Sequence, residues 1–126
     1  MASNLTVDTL TKGATTLNTD ELVDVNNTRV AKAWVNFNGT GTPAIRASFN
    51  ISSITDNGTG NYTISFTTAM SDANYVVSGQ GSIIGTDGRW QFEYQNARTT
   101  STYRFLTVNT SQVPSDSTYA CVAIFR

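Results

Sequence analysis

A chain of 126 residues fits one ordinary domain, and its net charge of -1 with 13% charged residues offers no basic stripe to neutralise a run of phosphates, which disfavours nucleic acid as a partner. Histidine is absent and cysteine occurs once, which removes the commonest general base, the commonest metal ligand and any internal disulfide. No run reaches the roughly 20 apolar residues of a membrane helix, and the start Met-Ala-Ser-Asn-Leu-Thr lacks the regions of a signal peptide, so synthesis in a cytosol without membrane insertion is expected.

Residues 1–30 spread Leu5, Val7, Leu10, Leu17, Leu22, Val23, Val25 and Val30 thinly through Thr, Asn and Asp. That is too little apolar area to offset about 1 to 2 kcal/mol per ordered residue. The segment is expected to be an extended neck or shaft, ordered by winding with other copies, with Leu5, Val7, Leu10 and Leu22 at subunit contacts. A floppy arm is the alternative. Asn18-Thr-Asp-Glu21 has the makings of one capped helical turn.

From residue 31 onward, apolar residues recur at every second position in short runs separated by turn clusters. The expected strands are Ala31 to Phe37, Ile45 to Ile51, Asn61 to Thr67, Asn74 to Gln80, Arg89 to Gln95, Thr102 to Val108 and Thr118 to Phe125. The predicted fold is all-β: an antiparallel β-sandwich of about seven strands over 31–126, carried on the neck and assembled as a homotrimer.

Alternation assigns a core of Ala33, Val35, Phe37, Ile45, Ala47, Phe49, Ile51, Tyr62, Ile64, Phe66, Tyr103 and Phe105. Trp34 falls among the polar positions of its strand and is expected against a neighbouring subunit. The last strand is apolar on both faces, so Val122 and Ile124 are assigned to a subunit interface, while Cys121 reads as a buried, inert thiol. Trp90, Phe92 and Tyr94 share one face and are expected in the core, which leaves Gln91, Glu93 and Gln95 to solvent.

Few residues can carry chemistry. The acidic groups are Glu21, Glu93 and seven aspartates, most of them in turns such as Asp56-Asn57-Gly58 and Asp87-Gly88, with no carboxylate pair suited to glycoside cleavage and no metal-ligand spacing. Gly79-Gln-Gly-Ser-Ile-Ile-Gly85 lacks the context of a phosphate loop, and its glycines read as a bulge or a close backbone approach. The expectation is a protein without enzyme activity, cofactor or bound metal.

The stretch from Lys32-Ala-Trp-Val-Asn-Phe-Asn-Gly-Thr-Gly-Thr-Pro43 through Ser48-Phe-Asn-Ile-Ser-Ser-Ile-Thr-Asp-Asn-Gly58 and Asn61-Tyr-Thr-Ile-Ser-Phe66 to Asn74-Tyr75 resembles a module of phage tail-fibre and tail-fibre-like proteins, of the marine and cyanobacterial phage type. The resemblance implies a virion location, trimeric assembly, other phage structural proteins as neighbours, and a β-structured tip. It carries over no catalytic or receptor residues. A tail fibre of that kind has a long N-terminal docking portion where this chain has only 30 residues before the module. The chain therefore fits a fibre tip, a separate short fibre, or a capsid-mounted head fibre or decoration protein. The first function expected is attachment to a host-surface glycan or outer-membrane protein; the alternative is a purely structural role on the capsid.

Strand parity then selects loops, because every antiparallel connection reverses direction. With seven strands, Asn38 to Ala44, Thr68 to Ala73 and Asn96 to Ser101 share the end away from the neck. Thr55 to Gly60, Gly81 to Gly88 and Asn109 to Ser117 share the other end. The receptor-binding candidates are thus Asn38, Thr40, Thr42, Asn96, Arg98 and Thr99.

Overall fold

A computed structural model describes residues 9–12, 15–18, 30–83 and 88–126. The chain divides into two units, Met1–Val30 and Ala31–Arg126. In the first, β1 (Thr9–Lys12) and β2 (Thr15–Asn18) pair antiparallel, with Leu10 opposite Leu17. Leu5, Val7, Leu22 and most of the expected helical turn lie outside the described residues.

The second unit contains β3 (Ala31–Asn38), β4 (Ala44–Phe49), β5 (Ile51–Asp56), β6 (Asn61–Phe66), β7 (Val76–Ser82), β8 (Gly88–Arg98), β9 (Thr102–Val108) and β10 (Tyr119–Phe125). These eight strands form one antiparallel sheet in the order β4-β3-β10-β7-β8-β9-β6-β5. Its two edge strands are consecutive in the chain, so the sheet curls into a nearly closed barrel. No helix occurs among the described residues. The expected seven-stranded sandwich is therefore corrected to a single barrel-like sheet of eight strands.

The extra strand arises at Asn50. The run read as one strand through Ile51 breaks there, because Asn50 adopts φ 55°, a left-handed conformation that asparagine tolerates better than most residues. Its side-chain amide donates to the carbonyls of Lys32 and Thr68, both at 3.0 Å, and its Oδ1 accepts from the Thr68 N–H at 2.7 Å. A corner of one residue thus turns β4 into β5 and ties both to β3 and to the chain after β6.

The interior follows the alternation of β3, β6, β9 and β10. Ala33, Val35, Phe37, Tyr62, Ile64, Phe66, Tyr103, Phe105, Ala120, Val122 and Ile124 are buried, joined by Met70 and Tyr75. Phe37 meets Tyr62 edge-on with centroids 5.1 Å apart, and Tyr103 stacks on Phe105 at 5.7 Å. Such pairs add about 0.5 to 1.5 kcal/mol each beyond the area they bury.

Two expectations fail here. Every residue of β4 is exposed, so Ile45, Ala47 and Phe49 are not core: β4 is an edge strand, and Ala47 and Phe49 pair with Asn36 and Trp34 on the outer face of β3. Val122 and Ile124 do not face a neighbouring subunit, being buried within this unit, where β10 sits between β3 and β7.

Candidate functional site

The added strand β5 reverses the parity of everything after it. Among the described residues, connections 39–43, 57–60 and 109–118 now share one end, opposite the start of β3. Asn50 and connections 67–75 and 99–101 share the other. The six receptor candidates accordingly do not form one site: Asn38, Thr40 and Thr42 lie at the far end, Arg98 and Thr99 at the near end, and Asn96 is placed by its backbone alone, in β8.

Most of those side chains are already engaged locally. Asn38 accepts from the N–H and hydroxyl of Thr40, a self-contained turn. The Thr99 hydroxyl accepts from the N–H groups of Ser101 and Thr102. Arg98 is half-buried, donates to the Glu93 carboxylate and the Tyr75 carbonyl, and lies 5.6 Å from the Tyr75 ring centroid. It locks β8 to the start of β7 and is not a cation held ready for an acidic ligand.

The far-end connections are fastened to one another. Gly39 N–H donates to Ser117 O at 2.8 Å, and Thr107 N–H donates to Gly60 O at 2.7 Å. Gly60 N–H donates to the Asp116 carboxylate at 2.7 Å, and the Tyr62 hydroxyl donates toward that carboxylate (2.9 Å) and the Gly39 carbonyl (2.8 Å). Gly60 has φ 63°, and a Cβ there would come within 2.5 Å of the Thr107 carbonyl, so both conformation and space require glycine. Burial first, then the bond to Asp116, raises the Tyr62 phenol above its ordinary range.

What remains open is the outside of the barrel wall. Trp34 is 39% exposed and Phe49 54%, and the two are directly paired across β3 and β4. Arg46 covers the Tyr119 ring at 4.3 Å. Beside them a shallow groove of about 360 Å³ is lined by Trp34, Asn36, Ser78, Gln80, Cys121 and Ala123. Cys121 is thus half-buried on the outer face, not in the core as expected, and burial raises its thiol pKa. A second hollow of about 500 Å³ lies at the near end between Lys32, Phe49, Asn50, Thr67 and Thr68.

β8 contradicts the sequence reading most sharply. Gln91 is opposite Thr107 and Glu93 opposite Phe105, and both partners are fully buried, so the polar residues of β8 point inward. Trp90 and Phe92 therefore point outward, 64% and 48% exposed, with half-buried Tyr94 on the same face. Arg104 of β9 lies 4.1 Å from the Tyr94 ring centroid and donates through Nε to Asn61 of β6 at 2.9 Å. Burying one such ring is worth about 1.5 to 3 kcal/mol, which this arrangement forgoes. On the inner side, Gln91 Nε2 is buried with no hydrogen-bond partner among the described residues.

No family model matches this chain, nor does any curated protein or solved structure. Among the described residues no three His, Cys, Asp or Glu side chains cluster as metal ligands would. The wall of the barrel, aromatic on two separate outer patches, is the arrangement best suited to contact another molecule.

Proposed function

We propose that this chain is a non-enzymatic surface protein of a bacteriophage particle, a distal tail-fibre-like domain that works as a homotrimer and binds the host cell surface. The observation that carries this reading is the placement of large aromatic side chains outside a barrel whose interior is already filled by others. Such rings on a solvated wall signal contact with a partner. A closed ring of three copies needs two different patches on each copy. The wall around Trp34 and Phe49 supplies one of them, and residues 1–30 act as the neck that winds the copies together. The module-like residues 32–75 build β3 to β6, which supports the fibre reading through the resemblance already described.

Light scattering at micromolar concentration tests the assembly: a mass of three chains is expected, and a monomer overturns it. Replacing Trp34 and Phe49 together by Glu is expected to yield monomers that keep a β-type circular dichroism spectrum. Labelled antibody on intact particles tests the location. Label at fibre tips supports the reading, whereas label confined to the capsid replaces it with a head-fibre or decoration role.

A further inference from the structure

We infer that the outer face of β8 and its neighbours, built on Trp90, Phe92, Tyr94, Arg104 and Asn61, is a carbohydrate-binding platform for a neutral oligosaccharide. The inference deepens the host-attachment reading and rests on it for its biological meaning. It moves the binding surface from the loops to the barrel wall.

The starting point is the inversion of β8. Slipping its register by one residue would bury the three rings and return Gln91 and Glu93 to water, because every side chain changes face. The fold holds the opposite arrangement in place at several points. Gly79 of β7 leaves room for the inward Gln91 amide, with which any Cβ at that position would collide. At Gly81 a Cβ would lie 2.6 Å from Ser117 Oγ and 3.0 Å from Arg89 Cβ. Arg98 holds Glu93 inward while bonding the Tyr75 carbonyl. A strand that breaks its local rule under this much restraint marks a place where the exposed face is used.

The chemistry of the face selects the occupant. Alternate residues on a strand are about 6.8 Å apart, which spaces Trp90, Phe92 and Tyr94 so that each ring can stack one sugar ring. The electron-rich faces of aromatic rings attract the polarised C–H faces of sugars. Hydroxyl groups of the same sugars need donors and acceptors beside those rings, and Arg104, Asn61 and Thr63 stand on the adjoining strands, where Thr63 is paired with Arg104. Single-stranded nucleic acid also stacks on such rings, but it requires a basic groove along its backbone. Here the described outer face sets a single cation, Arg104, beside the three rings, with its Nε on Asn61 and its terminal nitrogens left for hydroxyl groups, and the chain as a whole carries a net charge of -1, so there is no basic groove. A second copy of the chain would favour an apolar rim over these hydrogen-bonding groups. The flat, uncharged, hydroxyl-rich ligand that remains is an oligosaccharide.

The whole 126-residue chain is applied to a printed array of neutral and acidic oligosaccharides, and the strongest neutral binder is titrated by isothermal titration calorimetry. The same titration is run with an oligothymidylate, and light scattering records the oligomeric mass. Expected are binding of neutral oligosaccharides by the native protein and at least a tenfold loss in Trp90→Ala and in Phe92→Ala, with circular dichroism, thermal midpoint and mass unchanged. The inference is overturned if no neutral oligosaccharide binds, if both variants bind undiminished, or if oligothymidylate is preferred. It is overturned equally if either variant lowers the mass, which would assign the face to a second copy. Particle labelling judges the attachment reading separately: a labelled fibre with no sugar binding leaves that reading standing and removes only this site.

Discussion

Tyr62 joins segments that are far apart in sequence, since its hydroxyl meets Gly39 and Asp116 while its ring packs on Phe37 and Phe105. Tyr62→Phe keeps the ring and leaves two oxygens short of a donor, so a loss of about 1 to 3 kcal/mol in urea denaturation is expected. Burial also raises the phenols of Tyr75 and Tyr103 to about 12. In the unfolded chain a tyrosine titrates near 10. The folded form therefore holds protons that the unfolded form gives up once the pH passes about 10. The stability these groups contribute is complete below pH 10 and is lost as the pH rises toward about 12. Urea midpoints that do not fall between pH 10 and 12 would contradict this. Arg98 belongs at the same scale: because it neutralises a partly buried Glu93, Arg98→Ala is expected to cost about 1 to 2 kcal/mol of stability, discounted for its partial exposure.

At the scale of strands, the inward faces of β3, β6 and β9 were legible because each alternates large apolar residues with Thr, Ser or Asn. β4 alternates in the same way through Ile45, Ala47 and Phe49, and nothing local reveals that it is an edge strand whose register sets Ala47 and Phe49 beside the outward Asn36 and Trp34. β5 was missed because Ile51-Ser-Ser-Ile54 spaces its apolar residues by three, the mark of the register shift between Ile51 and Ser53. The aromatic stripe of β8 is visible in the sequence, but hydrophobicity alone directs its rings inward; the features that accompany the outward arrangement, Gly79 and Arg98, lie in other elements or across a bulge. Gly79→Ala is expected to push the flexible end of Gln91 aside and to destabilise by about 1 kcal/mol, the low end of the cost of overpacking. Much of that loss should be recovered when Gln91 is also shortened to Ala, and a double-mutant cycle measures the coupling. For the Asn50 corner, Asn50→Ala should cost about 2 kcal/mol, of which Asn50→Gly, free to keep the positive φ, recovers roughly half. Thermal melts of the two variants side by side separate the backbone share from that of the side-chain bonds.

For the whole molecule, the sheet order places β10 between β3 and β7, two strands with β4, β5 and β6 between them in the chain. β10 follows both of them in the chain, so until residues 119–125 are made β3 and β7 each present a row of unpaired backbone groups with no strand to bridge them. The pair β4-β3 is joined to β7 only by β10, and until that strand is made the nascent chain carries open edges of the kind that pair with other chains. Folding is therefore expected to be slow and dominated by long-range contacts, on the ms-to-s scale of such topologies. Stop-flow refolding should show one late phase in which Trp34 fluorescence, beside β10, changes together with amide protection of β3 and β7. Yield in a host would then depend on how many unfinished chains meet before that strand arrives, which makes low-temperature expression the favourable condition.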